Sequence, residues 1–217
     1  MYIPSLYDIK NKNYYEFNRL EMLQFIPKDA KFILDVGCAS GKFGLEVKKQ
    51  NNCLVWGVEP NKEAAELAKK NLDNVINSLF DNNTDFGGQK FDCIIFNDVL
   101  EHLVDPYSTI EICKKHLNPK GYIVSSIPNV FYYWNFIQNI LQQDWKYEDA
   151  GIMDKTHLRF FSSKSIKKMF AESGGEIIKH EGINSYYSRK FKILNWLLLF
   201  KINSWQFQQF ATVVKYK

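Results

Sequence analysis

The stretch "FILDVGCASGKFG", Phe32 to Gly44, governs how the rest of the chain is read. Its first half is an apolar run that reads as a buried strand. Its second half is a small-residue loop leading into "KFGLEVKKQ", whose apolar positions recur at helical spacing. A strand that ends in Asp-x-Gly and turns through small residues lets backbone come close to a ligand, as nucleotide-type cofactors require. Outward from this stretch the alternation repeats. "CLVWGVEP" reads as a strand closed by proline. "NKEAAELAKKNL" reads as a helix with Asn61 as N-cap and Ala65, Leu67 and Ala68 turned to a core. "NVINSLF" and "FDCIIFND" are further strands, "PYSTIEICKKHLNPKG" a helix stopped by Asn-Pro-x-Gly, and "GYIVSSIPN" another strand. Such alternation predicts an α/β fold: a doubly wound, parallel sheet with helices on both faces and ligands beyond the strands' carboxyl ends. Asp35, Glu59 and Asp98 all fall at such ends.

After Pro128 the pattern changes. Val130 to Asp154 reads as an aromatic helical segment and a polar loop. "SSKSIKKMFAESG" reads as a helix with a serine N-cap, closed by Gly174. "GEIIKHEGI" and "QQFATVVKYK" read as terminal strands, with the apolar helix "YYSRKFKILNWLLLFKIN" between them. The 217 residues contain no repeat, low-complexity tract or linker, so they read as one domain, 1–217.

The composition, 46% hydrophobic and 24% charged, is that of an ordinary globular protein. A net charge of +4 without a concentrated basic stretch argues against a nucleic-acid partner. The cysteines, Cys38, Cys53, Cys93 and Cys113, lack metal-type spacing, and most sit in apolar patterns. A reducing cytoplasm is the expected location. The opening "MYIPSLYDIKNKNYYEF" lacks the layout of a secretory signal. The apolar run Phe191–Ile202 is broken by Lys192 and Asn195 and falls short of the roughly 20 residues a membrane span needs.

The loop also discriminates between cofactors. A dinucleotide loop places glycine at its first, third and sixth positions. Those positions here are Gly37, Ala39 and Lys42. A carboxylate two residues before the first glycine, Asp35, repels a phosphate but suits an ammonium or sulfonium. S-adenosylmethionine (SAM) carries both cations and no phosphate. Glu59, at the next strand end, can accept the ribose hydroxyls. SAM is therefore the expected cofactor and S-adenosylhomocysteine its product.

"ILDVGCASGKFG", "VWGVEPNKEAAELA", "FDCIIFNDVLEHLVDP" and "LNPKGYIVSSIPNV" resemble, in order and spacing, the motifs of class I SAM-dependent methyltransferases. "DWKYEDAGIMDKTHLRFFSSKSIKKMF" resembles a bacterial subgroup found with sugar-modifying and cell-surface glycan enzymes. The resemblance runs from about Tyr14 to Gly182 and departs from the usual loop at Ala39-Ser40, where many members carry glycine. It implies a Rossmann-like, seven-stranded sheet with an antiparallel C-terminal strand, and an acceptor-side insert at about 129–165. It places Asp35, Gly37 and Gly41 at the methionine end of SAM, with Cys38 beside them. Glu59 and Pro60 are assigned to the ribose, Leu79 to the adenine edge, and Asn97 with Asp98 to the homocysteine portion. The implied activity is methyl transfer to a small-molecule or saccharide acceptor, most readily at oxygen, in surface-glycan or related biosynthesis. A non-catalytic SAM-binding subunit is the alternative. It would not need space for an acceptor beside Asn97 and His157. An RNA methyltransferase fits less well, because Asp98-Val99 stands where base N-methylating enzymes carry Pro-Pro-Tyr.

Methyl transfer is an in-line displacement that requires an acceptor aligned about 3 Å from the methyl carbon and, for a hydroxyl, a base. Histidine is the natural base. His116, near a helix end, and His180, in a terminal strand, are poor candidates. His102, in "NDVLEHL", and His157, in "DKTHLRFF", are the catalytic candidates, with Asp154 and Arg159 near the second. Asp98, Glu101 and His102 can share one side of a helix. Ubiquinone-biosynthesis O-methyltransferases and small-RNA 3′-end methyltransferases bind a divalent metal through a similar acid-x-x-Glu-His pattern. Many other methyltransferases use the same Glu-His only to brace the loop, so no residue is assigned to a metal. His157 has a structural alternative too, a hydrogen bond tying the insert to the core. Trp134, Trp145 and Tyr147 are candidate walls of an acceptor site.

Finally, "RKFKILNWLLLFKINSW", Arg189 to Trp205, carries more apolar residues than one core-facing stripe needs. Trp196, Leu199 and Phe200, flanked by Lys190, Lys192 and Lys201, are expected at the surface. That face suits a homodimer contact or, less readily, a peripheral seat on an anionic membrane.

Overall fold

A computed structural model of the protein describes residues 18–185 and 188–217, without the side chain of Lys190. The opening segment read for a signal peptide, the start of the resemblance at Tyr14, and Tyr186-Tyr187 lie outside the described residues. Seven strands form one sheet in the order β3-β2-β1-β4-β5-β7-β6. They are β1 (Phe32–Val36), β2 (Leu54–Val58), β3 (Asn74–Ile76), β4 (Phe91–Asn97), β5 (Leu117–Pro128), β6 (Glu176–Ser185) and β7 (Phe207–Lys215). β1 pairs in parallel with β2 and β4, and β4 with β5; β7 runs antiparallel between β5 and β6. The strand order reverses between β1 and β4, and ligands of such sheets bind at that switch.

Helices α1 (Lys42–Asn51), α2 (Lys62–Ala68), α3 (Pro106–His116), α4 (Tyr133–Gln142), α5 (Ser163–Glu172) and α6 (Arg189–Leu197) complete the regular structure, with short 3-10 turns between them. β4 shows why the sheet is covered on both faces. Ile94 and Phe96 enter a cluster with Ile110, Cys113, Ile166 and Phe170 of α3 and α5. Their neighbours Cys93 and Ile95 enter the opposite cluster with Val47, Ala65 and Ala68 of α1 and α2. Successive side chains of a strand point to opposite faces, so an all-apolar strand must be buried twice over.

The capping signals hold. Asn61 accepts the Ala64 N–H at the start of α2, and Ser162 with Ser165 forms a reciprocal capping box on α5. Two local expectations fail. Leu67 is exposed, because the buried stripe of the short α2 is Ala64, Ala65 and Ala68, whose small side chains let the cofactor loop pack close. The helix expected through Asn203 stops at Leu197, where the chain turns.

Candidate active site

A cavity of about 720 Å³ opens over the strand ends. Asp35, Gly37, Cys38, Glu59, Pro60, Leu79, Asn97, Asp98, His102 and His157 all line it. The loop after β1 is folded for this purpose. Gly37 sits at φ 72°, and a Cβ there would lie 2.7 Å from Val99 Cγ2. Ala39 takes φ 49°, a left-handed conformation that glycine adopts more easily. Glu59 holds it there: Oε2 accepts the Ala39 N–H at 2.9 Å and Oε1 the Asn61 N–H at 2.9 Å. The buried Glu59 therefore braces the loop and retains acceptor capacity toward the cavity. Gly41 is different. It stands at φ 74° before α1, where a Cβ would lie 3.1 Å from the Ala68 Cα, and the cavity lining does not include it. A side chain there would press on α2, so this glycine also lets α1 and α2 pack closely.

Electrostatics at this end are set by burial. Asp35 is pushed up to about 7, first by desolvation and then by the Glu59 charge. Burial also raises Glu59, against the two N–H donors that lower it. A cavity with two desolvated carboxylates at one end favours a cationic ligand.

Asp98 departs from expectation. Its φ of 55° and the three-residue 3-10 turn Leu100–His102 mean that Asp98, Glu101 and His102 do not share a helical side. Asp98 instead pairs with the Arg19 guanidinium and accepts Gln209 Nε2 at 2.8 Å. Arg19 also donates to Gln209 Oε1 at 2.9 Å. Arg19 and Gln209 both line the cavity, and sequence reasoning missed both. Arg19 is a single cation well before the loop motif. Gln209 arrives only because β7 inserts beside β5, setting Gln209 opposite Pro128.

At the other end Glu101, His102 and His157 converge. His102 Nδ1 faces the Thr156 carbonyl at 3.1 Å, and His157 Nδ1 the Ile152 carbonyl at 3.0 Å. A carbonyl only accepts, so in both neutral rings Nδ1 bears the proton and Nε2 the lone pair. Thr156 Oγ1 donates to the buried Asp154 at 2.7 Å, which fixes the shelf beneath His102. The two rings meet edge-on with centroids 4.7 Å apart. His157 Nε2 lies 3.9 Å from Glu101 Oε1. Both carboxylate oxygens of the buried Glu101 lack a hydrogen-bond partner among the described residues. Desolvation, joined by the Asp98 charge, holds this carboxyl well above the usual range.

Backbone also ties the insert to the core. The Leu158 and Arg159 amides donate to the Glu101 carbonyl at 2.9 and 3.0 Å, and the Arg159 guanidinium to the Val104 carbonyl. The ring of His157 lines the cavity beside them. One ligand atom from each of Glu101, His102 and His157 lies within 4.8 Å of the others, so the residues present fit a divalent cation. The unpartnered carboxylate is the observation that favours such a fit.

Trp134, Trp145 and Tyr147 are exposed and absent from the lining; Ala150, Gly151 and Ile152 form that wall instead. Phe160 draws off Trp145 and Tyr147, and Trp134 packs against Tyr133. His116 and His180 also lie off the cavity lining. His116 packs against Phe80 and Phe86, and His180 bridges Ser163 and Thr212 with its pKa lowered to about 4 by burial.

Comparison with known proteins follows the same lines. The family model described as "Methyltransferase domain" matches residues 7–180. A ubiquinone biosynthesis O-methyltransferase of Haemophilus ducreyi is 33% identical over 109 residues, which cover 46% of each chain. A protein of the same name from Bartonella tribocorum is 26% identical over 205 residues, 89% of this chain and 81% of that one. The chain spans about half the length of the Haemophilus relative, as it does of several others. A SAM-dependent methyltransferase structure from Archaeoglobus fulgidus superposes with a TM-score of 0.63 over 95% of both chains at 20% identity, a likeness of fold.

Proposed function

Because this chain belongs to the methyltransferase-domain family and has the class I, SAM-dependent fold, we propose that it moves the methyl group of SAM to an oxygen of a small acceptor. The observation that carries this reading is one cavity with a carboxylate pair at the β1–β2 end and the Glu101–His102–His157 group beside β4.

In this reading Asp35 accepts from the ammonium of SAM, Arg19 faces its carboxylate, and Glu59 accepts from the ribose while holding Ala39. Leu79 and Phe80 flank the adenine. The sulfonium then points toward Asn97 and the far wall. An acceptor hydroxyl lies against His157, whose Nε2 lone pair takes its proton as oxygen attacks the methyl carbon and S-adenosylhomocysteine leaves. The Glu101 carboxyl, 3.9 Å from that nitrogen, stands beside the resulting imidazolium. The room between Asn97 and His157 favours an enzyme over a non-catalytic SAM-binding subunit.

A second reading keeps the same residues. Glu101, His102 and His157 would hold a divalent ion, which when bound supplies Lewis-acid stabilisation to the acceptor oxygen. The orphaned Glu101 carboxylate is what favours it.

For the acceptor, the relatives' name supports a phenolic hydroxyl on a quinone-precursor-like ring. The saccharide acceptor expected from the insert has no comparable support. The cysteine pattern is the basis for inferring a cytoplasmic location. No helix among the described residues is long and apolar enough to cross a membrane.

The test is formation of S-adenosylhomocysteine with catechol-type phenols and, in parallel, with nucleotide-linked sugars, before and after exhaustive chelation. Turnover on phenols is expected. Turnover on sugars alone returns the glycan reading, and tight SAM binding without turnover on either returns the non-catalytic one. Activity that survives chelation removes the metal.

A further inference from the structure

α6 ends at Leu197, and the chain turns back through Leu198, Leu199 and Phe200. Leu199 and Phe200 hold φ of 52° and 60°, the left-handed region that bulky side chains avoid. The turn is closed by the Phe200 N–H on the Asn195 carbonyl at 2.8 Å and by Asn195 Nδ2 on Asn203 Oδ1 at 2.6 Å. Its product is an apolar tip. Trp196, Leu197, Leu198, Leu199 and Phe200 are 64%, 62%, 43%, 76% and 57% exposed, and Ile193 on the helix is 61% exposed. The tip stands on a small cluster in which Phe191 and Ile202 pack with Tyr132, Tyr133 and Ile152. α4, on the same cluster, carries no charged residue and leaves Trp134, Ile140 and Leu141 exposed.

We propose that this tip seats the protein on an anionic lipid surface, entering the headgroup region with its apolar residues while the flanking cations meet lipid phosphates. Two features favour a bilayer over a second copy of the chain. Trp196 to Phe200 are exposed at every position across the helix end and the left-handed turn that reverses the chain, so the run presents apolar side chains on both sides of the reversal. A flat partner covers one side of such a tip, whereas a fluid interface envelops it. Charge points the same way. Arg189, Lys192 and Lys201 are exposed around the tip, and no acidic residue occurs between Gly182 and Lys217. A two-fold interface would set this basic patch against its own copy. Anionic lipid complements it.

Ile152 belongs both to the cluster under the tip and to the cavity wall. The cluster that carries the tip therefore also borders the acceptor end of the cavity. The inference stands on the surface alone and does not rest on the acceptor proposed above.

Co-sedimentation of the full chain with phosphatidylcholine vesicles, with and without phosphatidylglycerol, tests it. Binding to the anionic vesicles is expected, with a loss of roughly tenfold or more in Leu199→Ser/Phe200→Ser. Lys192→Glu/Lys201→Glu should keep the apolar tip and lose the preference for anionic lipid. Circular dichroism and SAM affinity report that both variants remain folded. Failure to bind, equal binding by the Ser variant, equal binding to both vesicle types, or a dimer by light scattering that this variant dissociates would each overturn the proposal.

Discussion

The two ends of the cavity are built in opposite ways. The cofactor end is made of short contiguous pieces: Asp35 to Ser40 and Glu59 to Asn61 sit at adjacent strand ends, and the Glu59 carboxylate joins them, accepting the Ala39 amide of one and the Asn61 amide of its own. The acceptor end is assembled from distant ones. His102, after β4, rests on Thr156 of the insert, and Glu101 meets His157. One end is a local motif placed by the sheet; the other exists only when the insert has docked. The cofactor end should therefore tolerate damage to the acceptor end, and the converse should fail wherever the shared loop moves.

The largest effect expected from this contrast lies at the acceptor end. His157→Ala should lower turnover by about 10²–10⁴ with SAM affinity unchanged by calorimetry, and Glu101→Gln should follow it. Parallel loss of SAM affinity and of the thermal transition would show the two ends to be one structural unit. Glu59→Ala should weaken SAM binding by about 1.5–3 kcal/mol, and more than a lost ribose contact alone explains, because Ala39 is released as well. Its turnover at saturating SAM should largely recover; if it does not, the loop reaches further into the chemistry than the geometry implies.

A smaller effect is pH-dependent. The Asp35 carboxyl is raised from 3.8 to about 7 by burial and by Glu59. The folded protein then binds more protons than the unfolded chain between those values, so this group's contribution to stability falls as pH rises from about 4 to about 7 and is level above. An ammonium ligand requires the ionised form, so SAM should bind more tightly as pH rises through 7, releasing a proton on binding near pH 6. Calorimetry in buffers of different ionisation enthalpy would detect that proton, and its absence would separate Asp35 from the ammonium. The smallest effect is Ala39→Gly, which relieves a left-handed alanine and should raise stability by about 0.5–1 kcal/mol, with SAM affinity nearly unchanged. A gain in affinity would show that strain in this loop opposes the cofactor.

Much of this was legible before the fold. Strand and helix order, the N-caps at Asn61 and Ser162, and the carboxylates at strand ends all follow from patterns a few residues long. His102 and His157 were legible as chemistry but not as a pair, since no spacing rule joins positions so far apart. The helical-side grouping of Asp98 with Glu101 and His102 failed because the backbone at Asp98 turns left-handed, and Asp98 is claimed by Arg19. The aromatic wall failed for a related reason: Trp145 and Tyr147 found Phe160, and composition does not say which ring another ring will choose.

By itself the sequence determined the alternating α/β order, the strand-end carboxylates and the small-residue loop, because hydrophobic periodicity and backbone sterics act over neighbouring residues. Tertiary structure alone determined that Glu101, His102 and His157 share one wall and that Arg19 and Gln209 reach the cavity. Those outcomes depend on which distant surfaces exclude water together, a property of the packed chain that no local spacing records.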